Sequence, residues 1–160
     1  MIKNGKLLVV ALFVPQLAGA IGSLFTVPAI SGWYAGLDRP MFSLPNWVFG
    51  PVWTTLFLLM GVALYLILLI PKSGGKGRQR KQAVILFGVQ LVLNTLWSFI
   101  FFGLHSPGLA FVEIISLWIA IAATIGSFYR LSRIAAYLLI PYILWVSFAA
   151  FLNYAIWRLN

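Results

Sequence analysis

Five long apolar segments constrain the fold of this chain more than any other feature. They cover approximately residues 7–30, 46–70, 83–103, 108–129 and 134–157. A helix rises about 1.5 Å per residue and needs roughly 20 residues to cross the hydrocarbon core of a bilayer, which matches the length of each segment. Ten-residue strands of alternating polarity, the signature of a membrane barrel, are absent. We therefore predict an all-α membrane protein, a five-transmembrane-helix bundle in which residues 1–160 form a single domain.

The composition supports a membrane protein and excludes most kinds of enzyme. Of the 160 residues, 62% are hydrophobic and 8% are charged, more apolar surface than a soluble domain of this size can bury. Cysteine is absent, and the only histidine and carboxylates are His105, Asp38 and Glu113. This set is too sparse for a Ser-His-Asp triad, a carboxylate-pair hydrolase or a transition-metal site. We expect no metal, no required cofactor and no conventional enzyme activity.

The basic residues are concentrated on one side of the predicted bundle. With five spans, the N-terminus, the second loop and the fourth loop share a face, and by the positive-inside rule that face is cytoplasmic. The net charge of +9 therefore reflects membrane topology and contact with lipid headgroups, not a nucleic-acid site. The basic residues of this face are Lys3, Lys6, Lys72, Lys76, Arg78, Arg80, Lys81, Arg130 and Arg133.

The first apolar segment resembles a signal peptide with an Ala-Gly-Ala cleavage site at 18–20, but its apolar run continues beyond that site. We interpret it as a retained first helix. The compact chain without a targeting extension suggests a prokaryote, so we expect a multi-pass protein of the bacterial cytoplasmic membrane with a cytoplasmic N-terminus. Residues 31–45 form the only extended loop on the opposite side. This loop contains Trp33, Tyr34, Arg39 and Phe42, and we predict that it acts as a lid.

Aromatic and polar residues recur along one face of three predicted helices. This periodicity fits an apolar pocket with few polar anchors, and it fits plain helix packing equally well. The faces comprise Trp53 and Phe57 on the second helix, Gln90, Asn94, Trp97 and Phe101 with Ser98 beside them on the third, and Tyr142, Trp145, Ala149 and Leu152 with Asn153 beside them on the fifth.

Other tryptophans are better suited to the surface. Trp47, at the start of the WVFGPVWT motif, and Trp157 suit the interfacial belt, whereas Trp118 could face lipid or a neighbouring helix. Glu113 lies inside the fourth helix, where it could have a function, snorkel, or form a hydrogen bond across helices. His105 lies in a turn and is interpreted as an ordinary turn residue.

Three motifs closely resemble the tryptophan-rich sensory protein / translocator protein (TspO/MBR) family, also called peripheral-type benzodiazepine receptors. They are WYAGLDRPMFSLPNWVFGPVWT, QLVLNTLWSFIFFG and PYILWVSFAAFLNYAIWRLN, and together with the five spans they extend the resemblance over nearly the whole chain. Two small departures are Leu44 before Pro45, where the family usually has Pro-Pro, and Arg39, where lysine is common.

The resemblance implies a five-helix bundle, often a homodimer, that binds porphyrins, sterols and isoquinoline or benzodiazepine ligands beneath the first loop. It also implies a C-terminal sterol-recognition pattern, which Leu152, Tyr154 and Arg158 satisfy. Carried over by motif, the ligand-binding residues are Tyr34, Trp53, Phe57, Asn94, Trp97, Ser98, Trp145 and Ala149.

Three functions follow as hypotheses. The first is a receptor or sensor for porphyrins, with protoporphyrin IX or haem as the ligand and a role in tetrapyrrole or stress regulation. The second is light- and oxygen-dependent porphyrin breakdown, in which Trp53 and Trp145 would relay electrons. The third is transport of porphyrins or sterols, which lacks the support of inverted repeats or an ionisable relay.

Overall fold

The chain folds into helices joined by short connections, and the computed structural model describes residues 4–160, in which it has no strand. Five segments of the described residues are long and apolar enough to cross a membrane, which confirms the predicted five-helix bundle. Lys3, one of the basic residues assigned to the cytoplasmic face, lies outside the described residues. The helices are α1 (Gly5–Ile30), α2 (Asn46–Leu68), α3 (Gly77–Ser98), α4 (Pro107–Tyr129), α5 (Arg133–Tyr137) and α6 (Ile140–Leu159), with a 3₁₀ turn at Tyr34–Gly36 and a π-helical turn at Phe99–Gly103.

The third span is longer than its hydropathy predicted, because α3 begins at Gly77 and not near residue 83. The added turns are rich in Lys, Arg and Gln, which favour helix although they do not favour lipid. Arg80 also ties this start to the preceding span, since its Nη2 donates a hydrogen bond to the carbonyl of Leu68 at 3.2 Å. Hydropathy marked only the part of the helix that lies in lipid.

The fifth span is divided into two helices, whereas a single helix over 134–157 was expected. The short α5 ends at Tyr137, and α6 begins at Ile140. Pro141 explains the break, because it has no N–H to donate to the carbonyl of Tyr137 and its ring would collide with that carbonyl in a continuous helix.

The spans pack in a closed arrangement in which α1 contacts α2 and α3, α3 contacts α4, α4 contacts α6, and α2 contacts α5 of the fifth span. Gly61 permits the close approach of α1 and α2, since a Cβ atom there would lie 2.8 Å from the Cα of Leu12 and 2.9 Å from the carbonyl oxygen of Ala11. Small residues commonly allow such close backbone packing between membrane helices. The largest fully buried side chains include Met60, Phe87 and Phe128.

A buried hydrogen-bond network joins α3 to α6 near the centre of the bundle. The Tyr142 hydroxyl donates to Oε1 of Gln90 at 2.8 Å and accepts from Nδ2 of Asn94 at 3.0 Å. The Gln90 amide also approaches the sulfur of Met60 at 3.8 Å. Lipid offers no alternative partner for these groups, so the two helices are held in one relative orientation.

The first and third loops and the C-terminus lie at the same end of the bundle. Trp33 of the first loop stacks on His105 of the third at 4.5 Å between ring centroids. Asp38 of the first loop is hydrogen-bonded to Asn160. This placement agrees with five alternating spans, and the cytoplasmic location of the N-terminus stays a prediction.

We predict that Tyr142→Phe lowers the free energy of unfolding by about 1–2 kcal/mol, because the change leaves the buried Gln90 and Asn94 amides without their shared partner. The measurement is unfolding of the micelle-bound protein by SDS, followed by circular dichroism. Tyr137→Phe is the matched control, since Tyr137 is 59% exposed. Equal unfolding midpoints for the two variants would show that the network does not stabilise the bundle.

Candidate ligand-binding cavity

A cavity of about 540 Å³ lies between α1, α2, α3 and α6. Its volume falls within the roughly 300–1,000 Å³ range of small-molecule sites. Val27 of α1 and Trp47 of α2 line its edge and are 66% and 75% exposed, so the cavity reaches the protein surface between these two helices. The structure brings all eight residues of the sequence-based site to its walls: Tyr34, Trp53, Phe57, Asn94, Trp97, Ser98, Trp145 and Ala149.

Stacked aromatic rings form two parts of the wall. On α2, Trp53 stacks on Phe57 one turn later, with centroids 5.5 Å apart and ring planes 27° apart. Trp97 of α3 stacks on Phe101 of the following π-helical turn at 5.2 Å and 25°. Side chains one turn apart on a helix lie on the same face, which explains both pairs.

The orientation of Trp97 is fixed by hydrogen bonds across the bundle. Its Nε1 donates to Oδ1 of Asn153 on α6 at 3.0 Å. Asn153 in turn donates through Nδ2 to the carbonyl of Pro107, the first residue of α4, at 2.7 Å. Three spans therefore hold this indole in place.

Trp145 is held differently, by apolar packing against the core and by aromatic contacts, without a hydrogen bond. Its indole contacts Phe49 at 5.8 Å and Phe148 at 5.5 Å between centroids. Its Nε1 is buried and has no hydrogen-bond partner among the described residues. This indole is therefore freer than Trp97 to adjust to a ligand.

The polar groups of the cavity are uncharged and form the smaller part of its surface. Asn94 and Ser98 line it from α3, and Gln16 lines it from α1 while its Nε2 donates to the Thr54 carbonyl at 3.2 Å. Among the described residues, no Asp, Glu, Lys or Arg contributes to the lining. The cavity therefore suits an apolar body with a few hydrogen-bonding positions.

The contribution of α1 was missed by sequence reasoning, which derived the pocket from three helices. Gly19, Ala20, Gly22 and Ser23 all line the cavity, and Ser98 of α3 lies opposite Gly22. Small residues commonly permit close helix packing, and Gly19 does so here, because a Cβ atom at Gly19 would overlap the Phe57 ring. The remaining signal was Gln16, a polar residue one turn before this group.

The predicted lid loop is tied down at three points. Asn160 forms a reciprocal pair with Asp38, since its Oδ1 accepts from the Asp38 N–H and its Nδ2 donates to the Asp38 carbonyl, both at 3.0 Å. Phe42 stacks on Phe151 of α6 at 5.1 Å. Arg39 donates to Oδ1 of Asn46 at 3.3 Å, and its guanidinium lies 5.4 Å from the ring centre of Tyr34. Because Tyr34 and Asn46 line the cavity, Arg39 is placed at its border.

Comparisons with known proteins place the chain in a family. The sequence model of the TspO/MBR family matches residues 11–158. The chain belongs to the TspO/MBR family. It is 45% identical to the tryptophan-rich protein TspO of Chlorobaculum tepidum over 142 residues, which cover 89% of this chain and 88% of that protein. It is 40% identical to the human translocator protein, covering 91% and 85% of the two chains, and 35% identical to the tryptophan-rich sensory protein of Cereibacter sphaeroides, covering 94% and 92%.

The sterol-recognition pattern of this TspO/MBR chain is divided between two faces of α6. Leu152 is buried and lines the cavity, whereas Tyr154 and Arg158 are exposed. Tyr154 packs beside Phe111 of α4, at 5.2 Å between ring centroids. The three residues do not form one surface, and sterol binding through them stays a prediction.

The remaining residues singled out from the sequence lie outside the cavity. Trp118 donates from Nε1 to the Ser147 hydroxyl at 2.8 Å, so it contacts a neighbouring helix although it is 40% exposed. Glu113 is buried, and neither of its carboxylate oxygens has a hydrogen-bond partner among the described residues, so it neither snorkels nor bonds across helices. His105 adopts a positive φ of 53° in its turn.

We predict that Asn160→Ala loosens the lid loop, because it removes both hydrogen bonds to Asp38. Backbone amides of residues 33–42 should exchange about tenfold faster in hydrogen–deuterium exchange, as expected from the loss of two ordinary hydrogen bonds. Asn4→Ala, which removes the cap of α1 at the other end of the bundle, is the control and should leave this loop unchanged. Unaltered exchange in Asn160→Ala would mean that other contacts hold the loop.

Proposed function

We propose that this chain is a membrane receptor or sensor that binds porphyrins, such as protoporphyrin IX or haem, in the cavity beneath the first loop. The observation that carries the proposal is an uncharged aromatic cavity of about 540 Å³ enclosed by four membrane helices. Isoquinoline-type ligands share the flat aromatic character and would occupy the same space. Sterol binding and homodimer formation are further expectations of the family resemblance.

The walls of the cavity favour a flat ligand. Trp53 and Phe57 stack on each other and both line the cavity, so a flat macrocycle can lie against this part of the aromatic wall. Burial of apolar area and offset stacking would both stabilise the complex. Trp145, which no hydrogen bond holds in place, would move to complete the enclosure.

The border of the cavity suits the anionic part of a porphyrin. Arg39 could exchange its hydrogen bond to the neutral Asn46 for one to a propionate, which is stronger because both partners are charged. Deeper in the cavity, Asn94 and Ser98 offer neutral hydrogen-bonding groups. The ligand would therefore lie with its carboxylates toward the first loop.

Sensing is favoured over transport. Glu113 is the only carboxylate within the described spans, and it belongs to α4, which does not line the cavity. Transporters generally place ionisable groups along the substrate path, and that feature is missing from the lining. Relatives carry the names sensory protein and translocator protein, and the uncharged lining is the reason for proposing the sensory role here.

We predict that Trp53→Ala combined with Trp145→Ala weakens protoporphyrin IX binding by at least about 30-fold, as expected when central aromatic contacts are removed. The measurement is titration of the detergent-solubilised protein in the dark, followed by the porphyrin absorbance so that loss of indole fluorescence does not interfere. Trp118→Phe is the control, because Trp118 lies outside the cavity. Unchanged affinity in the double variant would exclude this site.

We predict that Ala149→Leu lowers porphyrin affinity by about tenfold or more, because its longer side chain would project into the space that the ligand needs. Ala123→Leu is the matched control at an exposed position of α4 away from the cavity. Equal affinity of Ala149→Leu and the unmodified protein would place the ligand elsewhere.

Porphyrin breakdown remains a second proposal, favoured by the presence of two indoles, Trp53 and Trp145, in one lining. Molecular oxygen would be the oxidant and light the energy source, so no acid–base residue is required. Illumination of the aerobic complex should then yield a new pigment in proportion to the bound porphyrin. Porphyrin that is recovered unchanged after illumination leaves the receptor function alone.

A further inference from the structure

A second concave site lies between α3 and α4 at the end of the bundle opposite the lid loop. This α3–α4 groove has a volume of about 540 Å³ and is lined by Gln82, Ile85, Leu86, Ala123, Gly126, Ser127 and Arg130. Gly126 has no side chain to fill the groove, and a Cβ atom there would lie in open space, with nothing within 4 Å. The stretch from Ala123 to Arg130 gives the groove a length of about 10 Å along the helices.

The polarity of the groove changes along its length. Gln82 and Arg130 lie together at its outer end, because α3 begins and the antiparallel α4 ends there. Ile85, Leu86 and Ala123 lie further into the span. A molecule that fits must therefore have a polar head at the membrane edge and an apolar body directed inward.

The charge at the outer end is not balanced by the chain. The sequence has two carboxylates, of which Glu113 is about 25 Å from Arg130 along α4 and Asp38 is in the lid loop at the opposite end. Two nearby arginines have internal partners, since Arg80 donates to the Leu68 carbonyl and Arg133 lies over the Tyr129 ring. Arg130 has no such partner among the described residues. Arg78, one turn before Gln82 on α3, adds a further charge on the same face.

We infer that the α3–α4 groove binds an anionic phospholipid. The phosphate accepts charge-assisted hydrogen bonds from Arg130 and a hydrogen bond from the Gln82 amide, while an acyl chain lies over Gly126 against Ile85. A second copy of this chain fits less well, because it would bring further basic residues and no carboxylate to the same end. The site is separate from the porphyrin cavity and does not depend on the proposed function.

Lipid titration of the delipidated full chain in detergent tests the inference, with bound lipid counted by native mass spectrometry. Dioleoyl phosphatidylglycerol is the anionic probe, and dioleoyl phosphatidylcholine is the zwitterionic comparison. Arg130→Gln should weaken phosphatidylglycerol binding by at least about tenfold, because it removes charge-assisted hydrogen bonds. Gly126→Leu should do the same by filling the groove.

Two matched variants separate a defined site from general attraction to a basic surface. Arg133→Gln removes the same charge outside the groove and should cost about fivefold or less, the value of one basic residue near an anionic surface. Gly88→Leu adds the same side chain at another open helical position and should leave binding unchanged.

Several results would overturn the inference. If Arg130→Gln and Arg133→Gln lowered the affinity for phosphatidylglycerol equally, general attraction to the basic surface would explain the binding. Equal affinity for the two lipids would remove the role of the anion, and displacement of the lipid by excess inorganic phosphate would leave only a phosphate site. A dimer that Gly126→Leu dissociates without any change in lipid binding would make the groove an interface between copies.

Discussion

The hydrogen bonds of the Tyr142 hydroxyl to Gln90 and Asn94 are the interaction on which the rest of this bundle depends. In lipid, helices gain little from hiding apolar surface from one another, so specific polar contacts and close packing decide how they meet. This network fixes the rotation of α6 relative to α3. In this orientation Trp97 of α3 and Trp145 of α6 both face the cavity. The cavity is maintained because the hydrogen bonds prevent either helix from rotating its aromatic face away from the other.

The cavity also depends on what α1 lacks. Small residues at Gly19, Gly22 and Ser23 leave room beside the larger rings of α2 and α3, so the helices touch at some positions and separate at others. Gly61 shows the touching case, where α1 and α2 approach backbone to backbone. Small residues therefore bring α1 and α2 into backbone contact at Gly61, whereas on α1 at Gly22 and Ser23 they leave space for the cavity. The difference is set by the partner side chain, such as Phe57 opposite Gly19.

The charged side chains of the described residues lie outside the cavity, mainly at the ends of the bundle. The cavity is lined without charged side chains among the described residues, which keeps its interior suitable for an apolar ligand, while Arg39 stands at its border. Most other basic residues lie at the opposite end, where the chain supplies no carboxylate to balance them. Counterions at that end must come from the surroundings, and the surroundings of a membrane protein are phospholipids.

The sequence alone determined the number and approximate extent of the spans, because the cost of placing polar residues in lipid acts residue by residue along the chain. Helical periodicity also grouped Gln90, Asn94 and Trp97, since polar groups turn away from hydrocarbon. Only the tertiary structure decided that α1 lines the cavity. Lipid is as apolar as the interior of the bundle, so an apolar helix such as α1 carries no pattern that distinguishes its two sides. Its role depends on which neighbours it meets, and that is a property of the assembled bundle.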